Sequence, residues 1–154
     1  MAQGVTIYAA GDTVAALILS QFSLGRLVGM MAVGATFYAF EIPNWFAWID
    51  RKVTSTHPVR MAAARTGLAM LYFNPLWIAR HLLFVALAAG DFAAVSPDLL
   101  RIGAISWLAN VPLSVAGNFV IQVKLPLEHR FAGSAIFSGL MATYYSLSAV
   151  LFGG

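Results

Sequence analysis

Residues 97–123 read PDLLRIGAISWLANVPLSVAGNFVIQV, and this stretch decides the fold. Its charged residues, Asp98 and Arg101, stand near its start, and no charged residue follows them before position 124. A helix needs about 20 mostly apolar residues to cross the hydrocarbon core of a bilayer. Ser96 can cap a helix, Pro97 suits the first helical position, and Asp98 favours the positive end of the helix dipole. The stretch is therefore predicted to be a membrane-spanning helix.

The rest of the chain has the same character. Hydrophobic residues make up 60% of its 154 residues, charged residues make up 10%, and the mean hydropathy is +0.81. Soluble domains carry about 25% charged residues. Four further apolar runs occupy residues 5–22, 27–48, 66–89 and 131–152. The first of them contains Asp12 and is the weakest candidate for a span. They are continuous, whereas the strands of a barrel alternate. The sequence predicts one all-α domain, 1–154, which is an integral membrane helical bundle of four or five transmembrane helices.

Basic residues are distributed unevenly between the two ends of the predicted bundle. One end holds Arg26 and Arg101, and the other holds Arg51, Lys52, Arg60, Arg65, Lys124 and Arg130. Short loops rich in lysine and arginine stay on the cytoplasmic side of a membrane. The more basic end is therefore predicted to face the cytoplasm or the mitochondrial matrix. The basic residues are too scattered to predict a nucleic-acid partner.

The sequence gives little support to catalysis. Cysteine is absent, which excludes disulfides, thiolate catalysis and cysteine-based metal sites. No nucleophile elbow, P-loop or metalloprotease motif is found, so we expect no enzyme, no metal and no cofactor. A haem or pigment bound by His81 stays open as an alternative. His81 lies on an apolar helix, where a histidine can ligate haem or a pigment, although a hydrogen-bonded role is the favoured interpretation.

Polar residues within the predicted spans are the candidates for function. A charge at membrane depth costs roughly 2.5–3.5 kcal/mol on insertion scales. Asp12, Glu41 and Arg80 are such charges, and Asn118 is a polar neighbour. They could line a polar path, with the carboxylates setting cation preference or pairing with Arg80 as a gate, or they could lock the helices together. We expect at least one of Glu41 and Arg80 to have a polar partner on another helix, with Asp12 or Asn118 as the leading candidates.

Short motifs spread along the chain resemble those of one known family. Trp45, Asp50 and Arg51 look like a Trp-Tyr-x-x-Leu-Asp-Arg signature at a helix end, and Gly11-Asp12 looks like a Gly-Asp pair. Further matches are Arg65 at the position of a lysine, Pro112 with Asn118-Phe119, and Pro126 with Arg130 in a Pro-Leu-x-x-Arg motif. The chain thus resembles a divergent member of the Mpv-seventeen/peroxisomal membrane protein family.

The resemblance implies a multi-span protein of an organelle membrane, such as the mitochondrial inner membrane, or of the cytoplasmic membrane in a bacterium. It also implies channel-like permeation of small solutes and no enzymatic activity. Several polar positions of the family are apolar here, and Val115 stands in place of a glutamine. The loss of these polar positions favours a structural role over the channel-like permeation that the resemblance implies.

The preferred hypothesis is an accessory or structural subunit within the membrane part of a larger respiratory or photosynthetic complex. The alternative is a channel-like protein that permeates small solutes or ions. The expected partners are the lipid bilayer and other membrane subunits. Small residues such as Gly25 and Gly29 let helices approach closely in lipid, so a homo-oligomer is a further possibility, less favoured than ordinary packing within the chain.

Overall fold

The computed structural model describes the backbone of residues 2–152 and their side chains except those at 2–5, 7, 8, 135, 142, 145, 146 and 148–152. The described part is all-α, as predicted, and contains no β-strand. Its helices are α1 (Ala2–Ile18), α2 (Leu24–Val33), α3 (Ala39–Lys52), α4 (Pro58–Tyr72), α5 (Pro75–Ala89), α6 (Asp98–Phe119) and α7 (Leu127–Phe152).

Two π-helical turns extend these helices. Gly34–Tyr38 joins α2 to α3, and Val120–Lys124 continues α6. The first π turn precedes Pro43, which removes a backbone donor inside α3. The amide of Asn44 donates to the carbonyl oxygen of Phe40 at 2.8 Å, which supports the backbone beside this proline. Leu24 to Lys52 is therefore one long helical rod, longer than the predicted span 27–48.

The predicted span 66–89 differs most from the structure, because it is divided into α4 and α5 at Phe73 and Asn74. Asn74 caps α5 by accepting a hydrogen bond from the Trp77 amide at 3.0 Å, and Pro75 occupies the first turn. Helix α4 begins eight positions before the apolar run does, with Pro58 in its first turn. The connection between α3 and α4 is therefore only residues 53–57, much shorter than the gap between the apolar runs 27–48 and 66–89.

Two stretches of the described chain are long and apolar enough to cross a membrane, Pro58–Ala89 and Asp98–Lys124. The apolar stretch Ala9–Ile18 is shorter. Large apolar side chains point outward on every α-helix, for example Leu17, Val28, Phe40, Leu71, Leu76, Leu108 and Leu140. The core beneath them includes Tyr38, Ile42 and Phe46 packed with Trp77 and Ile78.

Glycines set the closest helix contacts. Gly25 and Gly29 face Ala88 of α5, so this small-residue pair serves packing within the chain. Gly103 of α6 lies against the start of α5, where an added Cβ would come within 2.6 Å of the Pro75 carbonyl oxygen. Close approach of this kind requires the absence of a side chain.

Candidate functional site

Arg26 and Asp12 form a buried ion pair between α1 and α2. Arg26 Nη2 lies 2.7 Å from Asp12 Oδ1, and Nε donates to Oδ2 at 2.9 Å. Their side chains are only 4% and 2% exposed. From the sequence, Arg26 is expected at the less basic end of the bundle, and Asp12 is expected to partner Glu41 or Arg80. The structure instead uses each to neutralise the other.

Glu41 and Arg80 form a second pair, between α3 and α5. Arg80 Nη1 and Nη2 donate to the two carboxylate oxygens at 2.9 and 2.6 Å, and the Tyr72 hydroxyl donates to Oε2 at 2.7 Å. The guanidinium also lies 5.9 Å from the ring centroid of Phe84. Glu41 and Arg80 are therefore each other's partner across helices, in place of Asp12 or Asn118.

We expect Glu41→Leu to lower the free energy of unfolding by about 2–3 kcal/mol, because it leaves a half-buried guanidinium and a hydroxyl without their acceptor. Glu41→Gln keeps one acceptor oxygen and should cost less than half as much. Thermal unfolding in detergent measures both. Equal losses for the two variants would mean that charge rather than hydrogen bonding governs this pair.

A third cluster joins α3, α4 and α7, and we call it the Asp50 cluster. Asp50 Oδ1 lies 2.7 Å from Arg65 Nη2 and 2.8 Å from Arg130 Nη1. Arg130 Nε also donates to the carbonyl oxygen of Leu125 at 3.0 Å. Asp50, Arg65 and Arg130 are all residues on which the family resemblance rests, so three distant motifs meet at one point. Arg51, the next residue of the signature, is exposed and lies outside the cluster.

Trp45 packs against α4, where its ring centroid lies 5.7 Å from that of Tyr72. Its indole N–H donates to the carbonyl oxygen of Leu68 on α4 at 3.0 Å, and its ring stacks on Trp48 with centroids 4.8 Å apart. Signature residue Trp45 thus fixes α3 against α4.

Helix α6 buries a stripe of polar side chains that we call the α6 seam. Its members recur every fourth residue, and all are at most 6% exposed: Ser106, Asn110, Ser114, Asn118 and Gln122. A four-residue step advances about 40° beyond a full helical turn, so the stripe winds around the helix. Asn110 accordingly contacts Met141 on α7, whereas Asn118 contacts Met70 on α4.

The seam is incompletely hydrogen-bonded. Asn118 donates to the Ser114 carbonyl oxygen at 2.9 Å, but its Oδ1 has no partner within the described chain. The Ser106 hydroxyl and both side-chain polar atoms of Gln122 are also buried without partners there. A cavity of about 10 Å³ lies beside Ser114, Asn118 and Ser138, which is the scale of a single water molecule. Water is the obvious partner for such groups.

His81 is fully buried and shares a 3.1 Å hydrogen bond with the Tyr38 hydroxyl through Nδ1. Its ring is parallel to that of Trp77, with centroids 5.7 Å apart. These contacts engage Nδ1 and one ring face, as the hydrogen-bonded interpretation expects, and the haem or pigment alternative stays a prediction. In the described part of the chain, no cluster of three histidine or carboxylate side chains could hold a metal.

The other predicted residues fall outside the seam. Pro112 and Phe119 line an outer groove of about 490 Å³ between α4 and α6, and Pro126 lies in the turn before α7. Of the seam, only Asn118 is among the candidate residues predicted from the sequence, and Arg26 is not among them. The four-residue spacing of polar side chains on α6 was the signal for the seam.

Neither a protein-family model nor a curated protein nor a solved structure matches this chain. Function is therefore inferred from the geometry described above.

Proposed function

We propose that this chain is a non-enzymatic integral membrane protein. The supporting observation is its inverted distribution of polarity. The Asp12–Arg26 ion pair and the amides of the α6 seam lie in the interior, whereas large apolar side chains such as leucine, valine and phenylalanine lie on the outside of the helices. Water would disfavour such an exterior, while lipid favours it and requires buried polar groups to pair internally.

Five helical rods fit this proposal: α1, α2–α3, α4–α5, α6 and α7. At 1.5 Å per residue, α1 is about 26 Å long and the others exceed the roughly 30 Å of the hydrocarbon core. Four or five spans are thus proposed, with the end that holds the Asp50 cluster on the cytoplasmic or matrix side because of its basic excess.

We further propose that the bundle is channel-like and permeates water and small polar solutes along the α6 seam. From Ser106 to Gln122 the seam extends about 24 Å, which is most of the hydrocarbon thickness. Its side chains are hydroxyls and amides, and the intramembrane charges Arg26 and Glu41 are neutralised by Asp12 and Arg80. The lining therefore suits neutral molecules that both donate and accept hydrogen bonds. The seam is closed in this structure, so permeation requires α6 and its neighbours to part.

The channel-like function is preferred here over the accessory subunit that the sequence favours. Val115 stands where the family has a glutamine, but this position lies on the exposed face of α6. The buried face of the same helix keeps Asn110, Ser114 and Asn118. A polar interior is therefore retained through residues other than the family's glutamine, and membership of that family remains compatible with the geometry.

The test is osmotic shrinkage of proteoliposomes followed by light scattering. We expect the purified chain to raise water permeability severalfold over protein-free vesicles. Asn118→Leu should lower the protein-dependent part about tenfold, because losing a hydrogen-bonding site on the path costs about 1.4 kcal/mol.

Val115→Leu is the matched control, since it places the same side chain on the exposed face of the same helix. It should leave permeability unchanged. Gln122→Leu, at the next position of the seam, takes the place of Asn118→Leu if that variant does not fold. A folded wild-type protein with permeability at the lipid baseline would reject permeation and leave the seam as a structural lock.

An accessory subunit is the second candidate. It is favoured by the short connections between helices and by the outer face of α6, since only 28% of the most apolar window of Asp98–Lys124 is buried within the chain. Stoichiometric co-purification with a large membrane complex in mild detergent supports this candidate. A monomer or small homo-oligomer that retains water permeability supports the channel-like protein.

A further inference from the structure

The Asp50 cluster contains two cations and one anion. Arg65 and Arg130 both approach the same oxygen, Asp50 Oδ1, and their side chains are only 15% and 7% exposed. Arginine remains ionised in proteins, so a net positive charge is largely withdrawn from water. A charge in that position is costly unless an anion compensates it.

The guanidinium groups also retain unused donors. Arg130 donates Nε to Leu125 and Nη1 to Asp50, while its Nη2 makes no hydrogen bond within the described chain. Arg65 places Nη2 on Asp50 and donates Nη1 to the Gln122 carbonyl oxygen at 3.4 Å, while its Nε is buried and does not face a ligand. Planar guanidinium groups with free N–H bonds match the oxygens of a phosphate group.

The charges around the Asp50 cluster also sum to a positive value. The end of the bundle around the cluster holds six basic residues against two acidic ones, Asp50 and Glu128, a net charge of +4. Glu128 is exposed and forms no ion pair with a described residue. Exposed Arg51, Lys52 and Lys124 would raise the local concentration of an anion at this end.

We propose that the Asp50 cluster binds an anionic phosphate group, carried either by a phospholipid headgroup or by a soluble phosphate. Arg130 Nη2 supplies the direct contact, and the second positive charge of Arg65 holds the anion. Asp50 orients both guanidinium groups without neutralising them. The site lies where α3, α4 and α7 meet, so its occupation ties three helices together. The proposal is independent of permeation through the seam.

The test compares unfolding midpoints of the full chain in a neutral detergent. Phosphatidylglycerol at about a hundredfold its dissociation constant should raise the midpoint by roughly 5 °C. Phosphatidylcholine, which has a phosphate but no net charge, should produce a much smaller shift. A comparable shift with inorganic phosphate would assign the site to a soluble anion, whereas no shift with inorganic phosphate would assign it to lipid.

Variants separate ligand binding from simple structural support. Arg65→Gln should abolish the shift caused by phosphatidylglycerol, and Arg101→Gln, at the opposite end, should leave it unchanged. Asp50→Asn should lower the unfolding midpoint measured without lipid. It should enlarge the rise in midpoint caused by phosphatidylglycerol, because the cluster gains net positive charge.

A purely structural cluster behaves differently under Asp50→Asn. It loses stability, and its response to lipid stays the same. That result, or equal shifts with phosphatidylglycerol and phosphatidylcholine, would overturn the proposal.

Discussion

Replacing Arg26 by methionine is expected to lower the free energy of unfolding by about 3–5 kcal/mol, because the ionised Asp12 would stay behind in a site that excludes water. The Arg26 side chain is 4% exposed, and its two hydrogen bonds to Asp12 measure 2.7 and 2.9 Å. Solvent therefore cannot replace the lost guanidinium. Denaturation by an ionic detergent, followed by tryptophan fluorescence, measures the change.

The double variant Asp12→Leu with Arg26→Met distinguishes charge compensation from packing. It removes both charges and fills similar volume with apolar groups, so stability should return to within about 1.5 kcal/mol of the original. A double variant as unstable as the sum of the single variants would show that the two residues act independently.

Arg101→Met provides the control for this cycle. Arg101 forms an ion pair with Asp98 at 2.6 Å, at a similar distance to the Asp12–Arg26 pair, but both side chains are over 40% exposed. Exposed pairs contribute little because water and salt screen them. We expect no measurable change in the unfolding midpoint, which would show that burial rather than proximity makes the first pair important.

The all-α class and helix α6 were predictable because their signals are local. Residues 97–123 carry an apolar run with start signals, and the observed helix with its π turn runs from Asp98 to Lys124. The break between α4 and α5 was also encoded locally, in Asn74 and Pro75. It was missed because the apolar run continues through it, and hydropathy alone does not register a helix cap.

Ion-pair partners could not be predicted in the same way. Arg26 and Asp12 lie on different helices, and the sequence placed Arg26 only by its position between two apolar runs, among the basic residues of the less basic end. Only the packing of α1 on α2 turns its side chain inward. Asp50, Arg65 and Arg130 are likewise brought together by three helices, and the sequence contains no local sign that two arginines share one carboxylate.

Gly11→Ala is expected to destabilise the chain by about 3 kcal/mol, at the upper end of the usual cost of overpacking. An added Cβ on Gly11 would lie 2.7 Å from Gly139 Cα and would also overlap the Gly139 carbonyl oxygen. The obstacle is backbone rather than a flexible side chain, so α1 and α7 must move apart. Separation would also strain the 3.1 Å hydrogen bond from the Thr143 hydroxyl to the Gly11 carbonyl oxygen.

Gly67→Ala is the matched control, because Gly67 is a helical glycine with open space around it. There, alanine should be neutral or stabilising by up to about 1 kcal/mol, since it lowers the entropy lost on helix formation. Equal effects at the two positions would mean that helix propensity rather than close approach governs Gly11.

The two largest effects should also be coupled, because Gly11 precedes Asp12. Displacing α1 moves Asp12 away from Arg26, so part of the cost of Gly11→Ala is the weakening of the ion pair. In a background where Asp12→Leu and Arg26→Met have already removed that pair, Gly11→Ala should cost less than it does alone, by about 0.5–3 kcal/mol. Strict additivity would show that the glycine contact positions α7 but not Asp12. A coupled result gives a physical reason for the adjacent Gly-Asp pair: the glycine allows the helix approach that brings the carboxylate to its arginine.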